Sequence, residues 1–82
     1  MGRISVPRAF VLVNVETGAE DFVPKQLKNV EGVKEVYVSY GVYDLILKVK
    51  TKTMDELKEA VTYKIRSIPH VMSTLTLMAT EE

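Results

Sequence analysis

The 82-residue chain lacks cysteine and tryptophan, has a single histidine, and carries no excess of either charge. Without cysteine there is no disulfide, no thiolate metal site and no thiol nucleophile, and a reducing cytoplasm becomes the expected compartment. With His70 alone, a transition-metal centre would need an all-carboxylate shell, so no metal and no cofactor are expected. Eleven Lys and Arg balance eleven Asp and Glu. No whole-molecule field therefore draws the chain to nucleic acid or to an anionic membrane. No apolar run approaches the roughly 18 residues of a membrane span. Met1-Gly-Arg-Ile-Ser5 is not followed by a secretory apolar region, and the chain reads as mature as written. A chain this short rarely divides its core, so residues 1–82 are expected to form a single domain.

What is present is organised. Arg8 to Glu16 is a β-branched apolar run, too short for a typical helix, and reads as a strand covered on both faces. Thr17 to Glu20 offers a Thr-x-x-Glu capping box, and Phe22, Val23, Leu27 and Val30 follow at helical spacing, predicting a helix over about 19–29. Pro24 is awkward inside it, so the helix either starts near Asp21 or bends there. Gly32 sits where a cap or turn belongs. Val33 to Tyr40 alternates Val36, Val38 and Tyr40 against Val33, Glu35, Tyr37 and Ser39. Tyr43 to Thr51 alternates Leu45, Leu47 and Val49 against Ile46, Lys48 and Lys50. Gly41-Val42 between these strands suits a two-residue type II′ hairpin turn. Thr53 to Glu56 is a second capping box, leading Met54, Leu57, Val61, Ile65 and Ile68 along one helical stripe that Pro69 ends. Val71 to Thr80 completes the series as a strand, with Ser73, Leu75, Leu77 and Ala79 opposing Met72, Thr74, Thr76 and Met78.

The order β-α-β-β-α-β predicts an α+β, ferredoxin-like architecture: a four-stranded antiparallel sheet with two helices on one face. The face away from the helices should be polar in a monomer, yet the first and last strands are apolar on both sides. The cheapest cover is the same face of another copy, so the chain is expected to be dimeric through the sheets. Lys48, Lys50 and Lys52 limit that cover to part of the sheet, and read as a solvated stripe offset by Glu16 and Glu35.

Signals of catalysis are scarce. No Gly-rich phosphate loop, nucleophile elbow or paired-carboxylate constellation stands out, and the third strand lacks the aromatic signature of RNA stacking. His70 reads as a solvated loop residue, and the methionines as core or interface filler. Tyr37, Tyr40 and Tyr43 cluster at the hairpin, where their rings suit an interface or a ligand pocket.

Two short motifs remain: Gly41-Val42-Tyr43-Asp44 at the hairpin and Thr74-Leu75-Thr76 on the last strand. In this element order, with a Thr-capped second helix, they resemble the effector-binding domain of the Lrp/AsnC regulator family over about Arg8 to Thr80. Full-length members carry a helix-turn-helix domain before it, and this chain resembles a stand-alone version. The resemblance implies dimers through the sheets, assembly of dimers into larger rings, and an amino-acid effector held between neighbouring dimers. It carries over Gly41, Tyr43, Asp44, Thr74 and Thr76 as ligand-binding candidates. Members often have Gly where this chain has His70.

Each candidate has a plausible chemistry. Gly41 lets a carboxylate approach backbone N–H groups, Asp44 can accept from an α-ammonium, and threonine hydroxyls donate or accept. The alternative is that Gly41 makes the turn, Asp44 bonds within it, and the threonines are ordinary strand formers. The expected function is a non-enzymatic sensor, with no catalytic residues, that binds an amino acid or related metabolite at an oligomer interface and regulates transcription or metabolism through a partner. A DNA-binding family member is one such partner; direct nucleic-acid binding is not expected, since neither a helix-turn-helix nor a basic face is present. The rivals are a small metal-free enzyme of the dimeric α+β-barrel kind, for which Asn14 is the unusual polar residue in a strand interior, and a purely structural oligomerisation module.

Overall fold

The computed structural model describes residues 6–79, in the order β1 (Arg8–Val15), α1 (Phe22–Lys28), β2 (Val33–Val38), β3 (Leu45–Lys50), α2 (Met54–Glu59) continued by a π-helical turn (Ala60–Lys64), and β4 (Val71–Ala79). Thr80 and the Met1–Ser5 start lie outside the described residues. The strands form one antiparallel sheet in the order β2-β3-β1-β4. This is the expected ferredoxin-like architecture.

Alternation along β1 sorts its residues. Ala9, Val11, Val13 and Val15 are buried and pack with Val23 and Leu27 of α1 and with Leu57, Ala60, Val61 and Ile65 of the second helical segment. Leu45, Leu47 and Val49 of β3 join this core. No polar or charged side chain among the described residues is buried. The opposite face carries Phe10 and Leu12 of β1, Ile46 of β3, Tyr37 of β2, and Leu75 and Leu77 of β4, placed together by the pairs Phe10↔Leu77, Leu12↔Leu75, Leu12↔Ile46 and Tyr37↔Ile46. Phe10 is 40% exposed, Leu75 44% and Leu77 50%. Within one chain, the predicted two-sided burial of β1 is thus met on one side only.

Two bulges reset the alternation at strand ends. Val33 pairs with Val49 and Glu35 with Lys48, so Lys34 is the extra residue and Val33 turns to the core rather than to the face of Glu35 and Tyr37. Likewise Asn14 pairs with Ser73 but Val15 with Val71, leaving Met72 as the extra residue and Val71 against the core.

The helices begin where proline and threonine dictate. α1 starts at Phe22, later than the capping box predicts, which places Pro24 in the first turn, where its missing N–H costs no helical bond. The Thr17–Glu20 box does not cap it: Glu20 Oε1 accepts from Gly18 N at 2.9 Å, and the Asp21 N-cap makes no side-chain bond. The second box forms as expected, with Glu56 N donating to Thr53 Oγ1 at 3.1 Å and Thr53 N to Glu56 Oε1 at 3.3 Å.

Met54 is 42% exposed rather than part of the buried stripe. Leu57, Val61 and Ile65 recur every four residues, so an α-helix at 100° per residue would carry Ile65 about 80° around from Leu57. The π turn, closed by Ile65 N donating to Ala60 O at 3.0 Å, absorbs that drift and keeps all three in the core. The regular helix ends at Lys64, five residues before Pro69 and earlier than expected, and the chain reaches β4 through turns.

These contacts set two magnitudes. Leu57→Ala, which empties a fully buried site, should cost about 2–5 kcal/mol, and Thr53→Ala about 1 kcal/mol, in the unfolding free energy read from urea denaturation.

Candidate functional site

The loop between β2 and β3 is longer than the two-residue hairpin expected. Ser39 N donates to Asp44 O at 2.8 Å, enclosing Tyr40, Gly41, Val42 and Tyr43. Gly41 does not have the positive φ that a type II′ turn requires, and a Cβ there would meet only Ser39 Oγ at 3.9 Å. The fold therefore does not itself demand glycine at this position. Tyr40 and Val42 project from the loop, 96% and 86% exposed, while Tyr43 is half-buried.

Asp44 ties three segments together. Its N–H donates to Val13 O at 3.0 Å, its carbonyl accepts from Ser39, and its Oδ2 accepts from Val15 N at 2.9 Å. The carboxylate takes over where the backbone ladder between β1 and β3 ends. Its bonds run to β1 as well as within the loop, and Oδ1 has no partner among the described residues.

Thr74 and Thr76 lie on the helix side of β4, half-buried, opposite Val13 and Val11. Val13 also pairs with Leu45, so Thr74 is level with the Asp44 end of the sheet but two strand spacings away, roughly 9–10 Å. Gly41, Tyr43 and Asp44 are thus brought together in one loop. The two threonines stand apart from them within a single chain.

Beside Asp44, the end of β1 meets His70. Glu16 N donates to His70 O at 2.9 Å, and Glu16 Oε1 lies 2.6 Å from His70 Nδ1. The imidazole meets the Phe22 ring edge-on at 5.6 Å. His70 is exposed, as its loop position suggested, but it is held, and its φ of +76° lies in the left-handed region that favours glycine. Glu16, Thr17, Gly18, Ala19, Phe22 and His70 border an open hollow of about 360 Å³. Sequence reasoning placed none of these six in the site. The available signal was His70 itself, an L-residue where glycine is common.

Elsewhere on the sheet, Tyr37 Oη donates to Glu35 Oε1 at 2.6 Å, and this bond, with desolvation and the nearby carboxylate charge, raises the phenol above its ordinary pKa. Asn14, the polar group singled out for an enzyme, donates from Nδ2 to Ser73 Oγ at 3.5 Å on the open face, not inside a cleft between sheet and helices. Among the described residues, no three His, Asp or Glu side chains gather as a metal shell would require, and no helix is long and apolar enough to cross a membrane.

Comparison with known proteins places this geometry. A family model described as the Lrp/AsnC ligand binding domain matches residues 8–82. The HTH-type transcriptional regulator FL11 of Pyrococcus abyssi is 37% identical over 70 residues, which cover 85% of this chain and 46% of that protein. The chain thus spans about half the length of that regulator. The crystal structure of a hypothetical protein from Pyrococcus horikoshii is 42% identical, covers 93% of this chain and 92% of its own, and superposes with a TM-score of 0.84. A homocitrate synthase from Sulfolobus acidocaldarius is 34% identical over 82 residues, 92% of this chain but only 17% of that enzyme.

Two substitutions probe the local geometry. Asp44→Ala should cost about 1–3 kcal/mol of stability by leaving Val15 N–H without its acceptor, measured by thermal and urea unfolding. His70→Gly should be more stable than His70→Ala by about 1 kcal/mol, because both lose the Glu16 and Phe22 contacts but only glycine relieves the left-handed backbone.

Proposed function

Because the chain belongs to the family of Lrp/AsnC ligand binding domains, we propose that it is a sensor module that assembles through its open sheet face, binds an amino acid or related small metabolite between copies, and regulates transcription or metabolism through a partner. The observation that carries this reading is the uncovered apolar face formed by Phe10, Leu12, Ile46, Leu75 and Leu77. Contiguous exposed apolar surface of this kind marks an interaction site, and the same face of a second copy is self-complementary.

Assembly also supplies what one chain lacks. Tyr40 and Val42 stand almost fully exposed on the β2–β3 loop, and the separation of Asp44 from Thr74 and Thr76 leaves room for a site completed by a neighbouring copy. In that site Asp44 Oδ1 accepts from an α-ammonium, Gly41 lets the ligand reach backbone N–H groups, Tyr43 packs against it, and the threonine hydroxyls complete its polar contacts. A transcriptional regulator from Neisseria meningitidis solved as a complex with L-methionine shares the fold with a TM-score of 0.78 at 19% identity, which makes free amino acids the first panel to screen. The partner is a DNA-binding relative or, as the homocitrate synthase match suggests, a metabolic enzyme. The setting proposed is the cytoplasm, and the module itself is not an enzyme.

Light scattering at micromolar concentration should report a dimer or larger for wild type and a folded monomer for Leu77→Glu. An amino acid at 100 times its Kd should add about 2.7 kcal/mol of stability, a rise in Tm of roughly 10 °C or more for a domain of this size. A monomeric wild type, or no saturable amino-acid binding at millimolar concentration by calorimetry, would overturn the reading.

A further inference from the structure

At the opposite end of the sheet from the β2–β3 loop, the chain forms a second concavity of about 300 Å³. Gly32 lies at its floor, and a Cβ there would come within 3.0 Å of Thr51 Cγ2. Four lysines from four segments line it: Lys34 at the β2 bulge, Lys50 at the end of β3, Lys52 in the following loop and Lys64 in the π turn. The sequence places Lys50 and Lys52 in a solvated stripe with Lys48. In the fold they leave Lys48 and join two lysines remote in sequence around one hollow.

Three carboxylates, Glu31, Glu56 and Glu59, share the lining with the lysines. Glu56 Oε1 accepts from the backbone N–H groups of Lys52 at 3.2 Å and Thr53 at 3.3 Å, and Glu31 lies 4.0 Å from Lys64. Lys34, Lys50 and Lys52 form no ion pair among the described residues. Four lysines against three glutamates leave the lining with a small positive excess, and a concave site strengthens its attraction for an anion over that of a flat surface.

We propose that this hollow binds a small, multiply charged anion of the phosphorylated-metabolite class. Three lysines without an ion-pair partner among the described residues offer several donors to one anion, which suits the many oxygens of a phosphate or diphosphate better than a single carboxylate, and lysine holds phosphate oxygens as a point charge with three donors. The volume is at the low end of small-molecule sites and exceeds what bare phosphate needs. Glu59, also on the lining and without a partner among the described residues, can accept from hydroxyl or amino groups on the same molecule. This site is separate from the loop of Gly41 and Asp44, and stands whether or not an amino acid binds there.

The test is titration of the wild-type protein with pyrophosphate at constant ionic strength, followed by calorimetry and backbone amide NMR shifts. Saturable binding is expected, with the largest shifts at Gly32, Thr51 and Lys52. Lys34→Glu and Lys52→Glu should each weaken it by about tenfold or more, and Lys52→Gln by about threefold, with melting curves confirming that each variant is folded. Lys25→Glu, which changes net charge equally at an exposed position of α1 outside the lining, should bind as wild type. Absence of saturation, unchanged affinity in the folded Lys34 and Lys52 variants, or equal weakening by Lys25→Glu would overturn the proposal.

Discussion

Two short helical segments can cover only one face of a four-stranded sheet, and the rest of this molecule follows from that constraint. The covered face holds a wholly apolar core, from Ala9 to Val15 on β1 and from Leu45 to Val49 on β3, sealed by Val23, Leu27, Leu57, Val61 and Ile65. No polar side chain of the described residues is enclosed there, so their polar groups lie at the rims and on the open face. That arrangement leaves the edges and the open face as the places where polar groups of different segments can meet.

The rims are specialised differently. At one, Asp44 stands in for a missing strand carbonyl, and His70 accepts an unfavourable backbone next to Glu16. The Asp44 carboxylate has one oxygen committed to Val15 and the other without a partner among the described residues, so the bond that holds the fold leaves an acceptor to spare. At the other rim, Gly32 turns the chain under Thr51 and gathers lysines that are scattered in sequence.

The element order was legible from local signals, because each signal is a local physical rule. The Thr53 box, the alternation of β3 and the apolar stripe of α2 all depend on residues within a few positions of one another. What failed to show was non-local or a matter of backbone angle. The Thr17 box was overridden by Pro24, which fixes where α1 can begin. The Gly41 turn was misread because glycine is permitted, but not required, to take positive φ. Val33 changed face because a bulge does not alter local composition. The Gly-x-Tyr-Asp and Thr-x-Thr motifs were visible as residues, while their separation across β1 was set by strand order, which no motif encodes.

The Met72 bulge makes the start of β4 act as a phase shifter. Before it, Val71 belongs to the core; after it, Ser73, Leu75 and Leu77 belong to the open face in unbroken alternation. One inserted residue thus separates the open face from the core residue that leads to the rim at His70. A chain shortened by one residue here, with Met72 removed, would keep Val71 against the core and Ser73 on the open face as consecutive residues of a regular ladder, and the local twist that the bulge adds would be lost.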